Sequence, residues 1–143
     1  MGVEGWKTAM ARTSPSAPMR WLHQHGHLVG DVLDFGCGRG YDAMHFGLDA
    51  YDPHWGPELP DRTWDTITCL YVLNVLPITA EDAVLSEVLD LLNPGGCAYF
   101  AIRRDIKKET PGRGCTQRPV NLPYDLIHSD GSMGIYQTCQ EVW

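Results

Sequence analysis

The stretch Asp31-Val32-Leu33-Asp34-Phe35-Gly36-Cys37-Gly38-Arg39-Gly40 leaves this chain few folds to choose from. Val32, Leu33 and Phe35 read as a short buried strand, which three glycines at alternate positions then break. Glycine takes positive φ without steric penalty and has no Cβ to hold a ligand away. Such a run therefore predicts a sharp turn at a strand's carboxyl end, with backbone open to a ligand. A short helix can start at Tyr41-Asp42-Ala43-Met44. Asp34 stands before the first glycine, and a second acid, Asp52, ends the next apolar run, Leu48-Asp49-Ala50-Tyr51-Asp52. An acid after the second strand of a doubly wound α/β sheet is placed to bind a ribose diol. A single residue separates the second and third glycines, where dinucleotide-binding turns carry two, so the spacing argues against a nicotinamide cofactor. The plain alternative is a tight strand-to-helix turn with no ligand.

Length and charge narrow the function classes. A chain of 143 residues supports one domain with a single core. No apolar run approaches the roughly 20 residues of a membrane span, and the amino terminus has no apolar signal core. The expectation is a cytoplasmic protein. Cys37, Cys69, Cys97, Cys115 and Cys139 are odd in number, widely spaced and free of any Cys-x-x-Cys pair. They are expected as reduced thiols, with neither a disulfide frame nor a zinc site. His23-Gln24-His25-Gly26-His27 invites a metal, but spacings of two put the rings on different helix faces, so an exposed helix end is preferred and no metal is expected. The net charge of −7 argues against blanket nucleic-acid binding. Its distribution is uneven: Arg103, Arg104, Lys107, Lys108, Arg113 and Arg118 against Asp105 and Glu109 give +4, leaving −11 elsewhere. Such a block is either a solvated loop or a docking patch for an anionic substrate.

The pattern Asp34-x-Gly36-x-Gly38-x-Gly40, with Asp52 after it, resembles the first and second motifs of class I methyltransferases that use S-adenosylmethionine (SAM). The turn Leu92-Asn93-Pro94-Gly95-Gly96 into an apolar strand, Cys97 to Ile102, is similar to theirs too. Lys7-Thr8-Ala9, Arg12, Ser14-Pro15-Ser16-Ala17-Pro18 and Tyr51-Asp52-Pro53-His54-Trp55 resemble segments of small bacterial and phage methyltransferase-domain proteins. The resemblance spans residues 7–137. It implies a minimal Rossmann-like α/β sheet, mostly parallel with an antiparallel carboxyl-terminal hairpin. Residues 53–62 are too rich in proline to hold the usual third strand, so that strand is expected to be missing.

The same resemblance implies SAM as cofactor, with S-adenosylhomocysteine (SAH) as product, held by Asp34, Gly36, Cys37, Gly38, Gly40, Tyr51, Asp52, Pro53, Leu70 and Tyr71. His54, Trp55 or Asp65 would stand near the adenine. The run Tyr71-Val72-Leu73-Asn74-Val75-Leu76-Pro77 falls at the fourth motif and lacks the Asn/Asp-Pro-Pro-aromatic pattern of DNA amino-methyltransferases. Asn74 either meets substrate or satisfies local backbone. No residue stands out as a general base. Asn74, Tyr71, Arg103, Arg104 and Arg12 are the substrate-side choices. The acceptor is unidentified: a nucleic acid or another anionic molecule meeting residues 103–118. The alternative is a SAM-binding module or a non-catalytic partner subunit.

Elsewhere the pattern predicts an arm over residues 1–16 and a domain over 17–143. Ser16 caps a first helix that Gly26 ends. Thr79 caps a later helix whose stripe is Val84, Leu85, Val88, Leu89 and Leu92. A basic loop replaces the last crossover helix, and a hairpin follows around Ser129-Asp130-Gly131.

Overall fold

A computed structural model describes residues 13–111 and 116–141. In chain order the elements are α1 (Ala17–Gln24), β1 (Val32–Phe35), α2 (Tyr41–Phe46), β2 (Asp49–Tyr51) and β3 (Trp64–Leu70). A 3₁₀ turn at Leu73–Val75 leads to α3 (Ile78–Asp90) and β4 (Leu92–Arg103). A small ribbon, β5 (Thr110–Pro111) with β6 (Thr116–Gln117), precedes the hairpin β7 (Asp125–Ser129) and β8 (Met133–Cys139). One sheet runs β2-β1-β3-β4-β8-β7. Its first three pairings are parallel and the last two antiparallel. The sheet ends at β2, and no strand forms between Pro53 and Arg62, as the proline-rich run requires.

Side chains alternate across the sheet, which makes two cores. Phe35, Ile67, Phe100 and Ile102 face α3 with Val84, Leu85 and Val88. Tyr99, Ala101, Met133 and Ile135 face Leu22 of α1. The middle strands β1 and β3 are buried on both faces, hence their mainly apolar and β-branched character, with Asp34 the buried exception. Where a last crossover helix would lie, residues 118–123 run extended instead. Arg118, Val120 and Leu122 turn inward while Pro119, Asn121 and Pro123 face solvent. Proline suits such a strap because its φ is already extended and it asks for no hydrogen-bond partner.

Local signals explain most of the element ends. The Ser16 hydroxyl accepts the Met19 amide at 3.3 Å, and Gly26 follows α1 with φ 74°. The α3 cap differs from expectation: Pro77 occupies that position with no side-chain bond, and Thr79 lies inside the first turn. Proline there fixes an extended φ just before the helix and has no amide to leave unpaired. Leu92, assigned to the helical stripe, opens β4 instead.

Two other expectations are overturned. Cys97 and Cys139 are joined in a disulfide, where reduced thiols were expected. They sit directly opposite each other on the antiparallel pair β4 and β8, a register that cysteine spacing alone does not reveal. Asp65 lies at the amino end of β3, where it accepts the Asp31 amide and the Asn93 side-chain amide. It is thus at the opposite end of the strand from the glycine turn and cannot stand near an adenine held there. No helix is long and apolar enough to cross a membrane, and no group of histidine, cysteine and acidic side chains suits a metal, among the described residues. Lys7 and Arg12, with most of the expected arm, lie outside the described residues.

Candidate cofactor site

The bend after β1 is built from backbone. Gly36, Gly38 and Gly40 all have positive φ, at 79°, 60° and 83°. The Tyr51 carbonyl accepts both the Gly36 and the Cys37 amides, at 2.8 and 2.9 Å, which fastens the bend to the end of β2. An added Cβ at Gly36 would lie 2.6 Å from Val72 Cγ2, whereas one at Gly40 would meet open space. Gly36 is therefore required by packing as well as by φ, and Gly40 by φ alone.

Asp52 faces this bend. Its Oδ2 accepts the Gly38 amide at 2.9 Å, and its Oδ1 accepts the His54 and Trp55 amides at 2.9 and 3.0 Å. Three backbone donors fix the carboxylate while leaving lone-pair capacity on Oδ2, since a carboxylate offers about four acceptor sites. Past Asp52 the chain doubles back, so that the Arg39 guanidinium lies 4.4 Å over the Trp55 ring. Pro53 begins that return. The Tyr51 ring, by contrast, packs on Phe35 at 5.0 Å, so this residue serves the bend through its carbonyl.

Asp34 lies beneath the bend with 3 % of its surface exposed. Burial pushes its carboxyl up to about 7, helped by the neighbouring charges of Asp42 and Asp52 and opposed by the Thr68 hydroxyl, which donates to Oδ1 at 3.0 Å. A buried acid with two acids for neighbours is suited to an ammonium or sulfonium ligand, which would relieve the repulsion. Cys37 is pushed up to about 12 by burial, so it offers a thiol and not a thiolate.

At the end of β3, Leu70 lies on the α1 face and Val72 touches Gly36. Tyr71 has φ 61°, the sole positive value at a non-glycine among the described residues. Its hydroxyl lies 3.8 Å from the Met133 sulfur. Such a conformation in a bulky side chain carries about 1–3 kcal/mol of strain and concentrates at functional turns.

The substrate-side residues divide. Asn74 is fully buried; it accepts the Arg103 amide at 2.7 Å and donates to the Arg118 carbonyl at 2.8 Å. Both polar atoms of its side chain are thus engaged by backbone, as in the second of its two readings. Arg118 leaves the docking patch as well: its Nε donates to the Leu76 carbonyl at 2.6 Å and its Nη2 to Glu81 at 2.9 Å. Arg103 reaches solvent, but both its Nε and Nη2 bind Asp105, and Nη1 binds Gln117. Those bonds hold the guanidinium's pKa up and the Asp105 carboxyl's down. The Arg104 stem lies along Gly134, and Lys107 and Lys108 are exposed. Asp42, Thr68 and Val72 belong to the site and were missed, because each signals an ordinary helix start or strand in the sequence.

No family profile and no curated protein sequence matches the chain. Solved structures do. The 1,6-didemethyltoxoflavin-N1-methyltransferase of Burkholderia thailandensis, with its substrate and SAH bound, superposes with a TM-score of 0.64 at 19% identity, over 87% of this chain and 77% of that one. DhpI in complex with SAH gives 0.60 at 19% identity, over 88% and 84%. The magnesium protoporphyrin IX methyltransferase ChlM of Synechocystis PCC 6803, with SAM bound, gives 0.54 at 14% identity, over 96% and 90%. This chain has the class I methyltransferase fold. With that fold the glycine bend and Asp52 stand at the carboxyl ends of adjacent parallel strands, the general place for ligands in such sheets.

Proposed function

We propose that the protein is a SAM-dependent methyltransferase. The observation that carries this is the Asp52 carboxylate, oriented by three backbone amides against the glycine bend. In this reading Asp52 accepts the ribose hydroxyls and the residues 36–40 backbone lies along the methionine part. Asp34 supplies negative charge near the cationic end. Leu70 and Tyr71 line the side that faces the methyl group. The solved methyltransferases with the same fold, two of them holding SAH and one SAM, support the cofactor. A sulfonium already activates its methyl group, so the protein's task is to align donor and acceptor in line and exclude competing geometry. No described side chain at the bend is required to act as a base, and an acceptor that is ionised or intrinsically nucleophilic needs none.

The acceptor is proposed to be anionic, on narrower grounds than the sequence offered. With Arg118 internal and Arg103 bound to Asp105, the available cations at the end of β4 among the described residues are Arg104, Lys107 and Lys108. A second reading, a SAM-binding subunit without activity, gains from the enclosure of Asn74. The cytoplasmic location expected from the sequence is opposed by the Cys97–Cys139 disulfide, which fits an oxidising compartment better.

Titration calorimetry with SAM, SAH and NAD tests the cofactor: binding of the first two, silence with NAD, and loss in Asp52→Ala are expected. Equal heats from Asp52→Ala and the parent protein would remove the reading. Transfer of labelled methyl from SAM to cell extract, absent with Asp52→Ala, then separates enzyme from binding module.

A further inference from the structure

The face of the sheet that carries Tyr99 and Met133 is covered by α1, and the histidines of the sequence reappear there. The Trp21 indole is stacked by three imidazoles: His25 at 4.1 Å, His27 at 5.4 Å and His128 at 4.8 Å between ring centroids, all within 28° of parallel. The rings come from three places in the chain: the end of α1, the segment after it, and β7. We propose that His27, packed against Trp21 and Tyr99, is an acid-released clasp, which holds the carboxyl end of α1 on the sheet above about pH 6.5 and lets it go below.

His27 holds the segment after α1 to the sheet through Tyr99. Its Nδ1 lies 3.1 Å from the Tyr99 hydroxyl, and Gln137 Nε2 donates to that same hydroxyl oxygen at 2.8 Å. Gln137 can serve only as a donor through Nε2, so the Tyr99 proton is free to point at Nδ1, and His27 is an acceptor there with its proton on Nε2. A second proton must enter at Nδ1. The Tyr99 oxygen would then face two N–H donors, and its own proton would lose its acceptor inside a nearly closed site, for Tyr99 is 3 % exposed. Burial and the nearby His25 add to the penalty, both pushing the His27 pKa down. A histidine held neutral by the fold weakens the fold as pH falls below its unfolded value near 6.5.

The other two rings keep their contacts when charged, so the acid response belongs to His27. His25 Nδ1 donates to the Trp21 carbonyl at 2.9 Å. His128 Nε2 lies 3.0 Å from Asp130, which also accepts the Ser132 and Met133 amides, and a charged His128 would strengthen that pair. Tyr99 on β4 and Gln137 on β8 are neutral. Cation–π attraction to one indole is worth about 0.5–2 kcal/mol and is shared among three rings. The other end of α1 is tied separately, Ser16 donating twice to Asp42 of α2 at 2.8 and 2.6 Å. Acid should therefore free the carboxyl end of the helix first and leave its cap in place. If the methyltransferase reading holds, this uncovers the face carrying Tyr71 and Met133; the clasp itself does not depend on that reading.

Hydrogen exchange of the free protein at pH 7.5 and 5.5, corrected for intrinsic rates, reads the clasp directly. A loss of protection of about tenfold or more is expected for the amides of residues 22–27, with no loss at the amides of α3 and β3. In His27→Gln, which keeps an acceptor for Tyr99 but does not titrate, that loss should vanish. An equal loss in His27→Gln, or none in the parent protein, overturns the proposal. Should His27→Gln fold poorly, the ring resonances of His27 decide: titration below the ordinary histidine value supports the clasp, and titration at or above it overturns it. No cofactor enters the test, so its outcome is independent of whether SAM binds.

Discussion

Asp34 is where the proposed cofactor role and stability pull apart. Its carboxyl is raised from 3.8 to about 7, so between those values the folded protein holds a proton that the unfolded chain has released. That contribution is complete below pH 4 and is lost as pH rises through 7. At about 1.4 kcal/mol per unit the full swing is about 4 kcal/mol, an upper figure for one buried group. Asp34→Asn retains an acceptor for Thr68 and removes the charge. It should raise the thermal midpoint at pH 8, flatten its dependence between pH 5 and 8, and weaken SAM binding, all checked by calorimetry on one preparation. Unchanged midpoints at both pH values would mean that Asp34 is not strained. Gly36→Ala is the reverse case, costing stability with no change of charge. Positive φ and the approach to Val72 Cγ2 should together destabilise by about 2–4 kcal/mol, and Val72→Ala should recover part of it in denaturant melts. These glycines, Asp34 and Asp52 were legible because their chemistry is local: a turn and its acids lie within a few residues of one another. Asn74 was not, since its role depends on two chain segments, at 103 and 118, that only the fold brings to it.

At the scale of elements, the strap over residues 118–123 shows why charge counting misleads. Arg118 belongs to a basic cluster in sequence but to a buried pair in space, with side-chain exposure of 10% against 12% for Glu81. Removing one partner of such a pair leaves the other buried without its counter-charge. Arg118→Ala should therefore lose about 3–5 kcal/mol in urea unfolding. Lys107→Ala and Lys108→Ala, both exposed, should lose next to nothing. A stability change in Arg118→Ala no larger than theirs would return Arg118 to the docking patch. The alternation of buried and exposed positions from 118 to 123 is present in the sequence, yet Arg118 and Pro119 read as the end of the basic loop, and only residues 121–123 read as extended. Short helices fared better. The six residues of α2 and the eight of α1 carry their own signals: glycine at both ends of α2, and serine with proline opening α1.

Across the whole molecule, the parallel half of the sheet follows from glycine turns and apolar runs, whereas the link between its two halves rests on a pairing the sequence conceals. Cys97 and Cys139 are 42 residues apart and meet because β8 runs antiparallel to β4 in one particular register. Closing a loop of that length removes unfolded-state entropy worth about 4 kcal/mol. For a domain of this size, unfolding entropy near 0.3 kcal/mol per kelvin converts that to a fall of about 10–15 °C in thermal midpoint on reduction. The double variant Cys97→Ser, Cys139→Ser should show the same fall and no further response to reductant. SAH affinity should stay constant in both, because Cys97 pairs with Thr66 at the amino end of β3 while the glycine bend lies beyond its carboxyl end. A reductant effect that persists in the double variant would point to other cysteines, and an unchanged midpoint in the parent protein would show that the two thiols are not joined. The outcome bears on location too, since a disulfide that carries this much stability is out of place in a reducing cytoplasm.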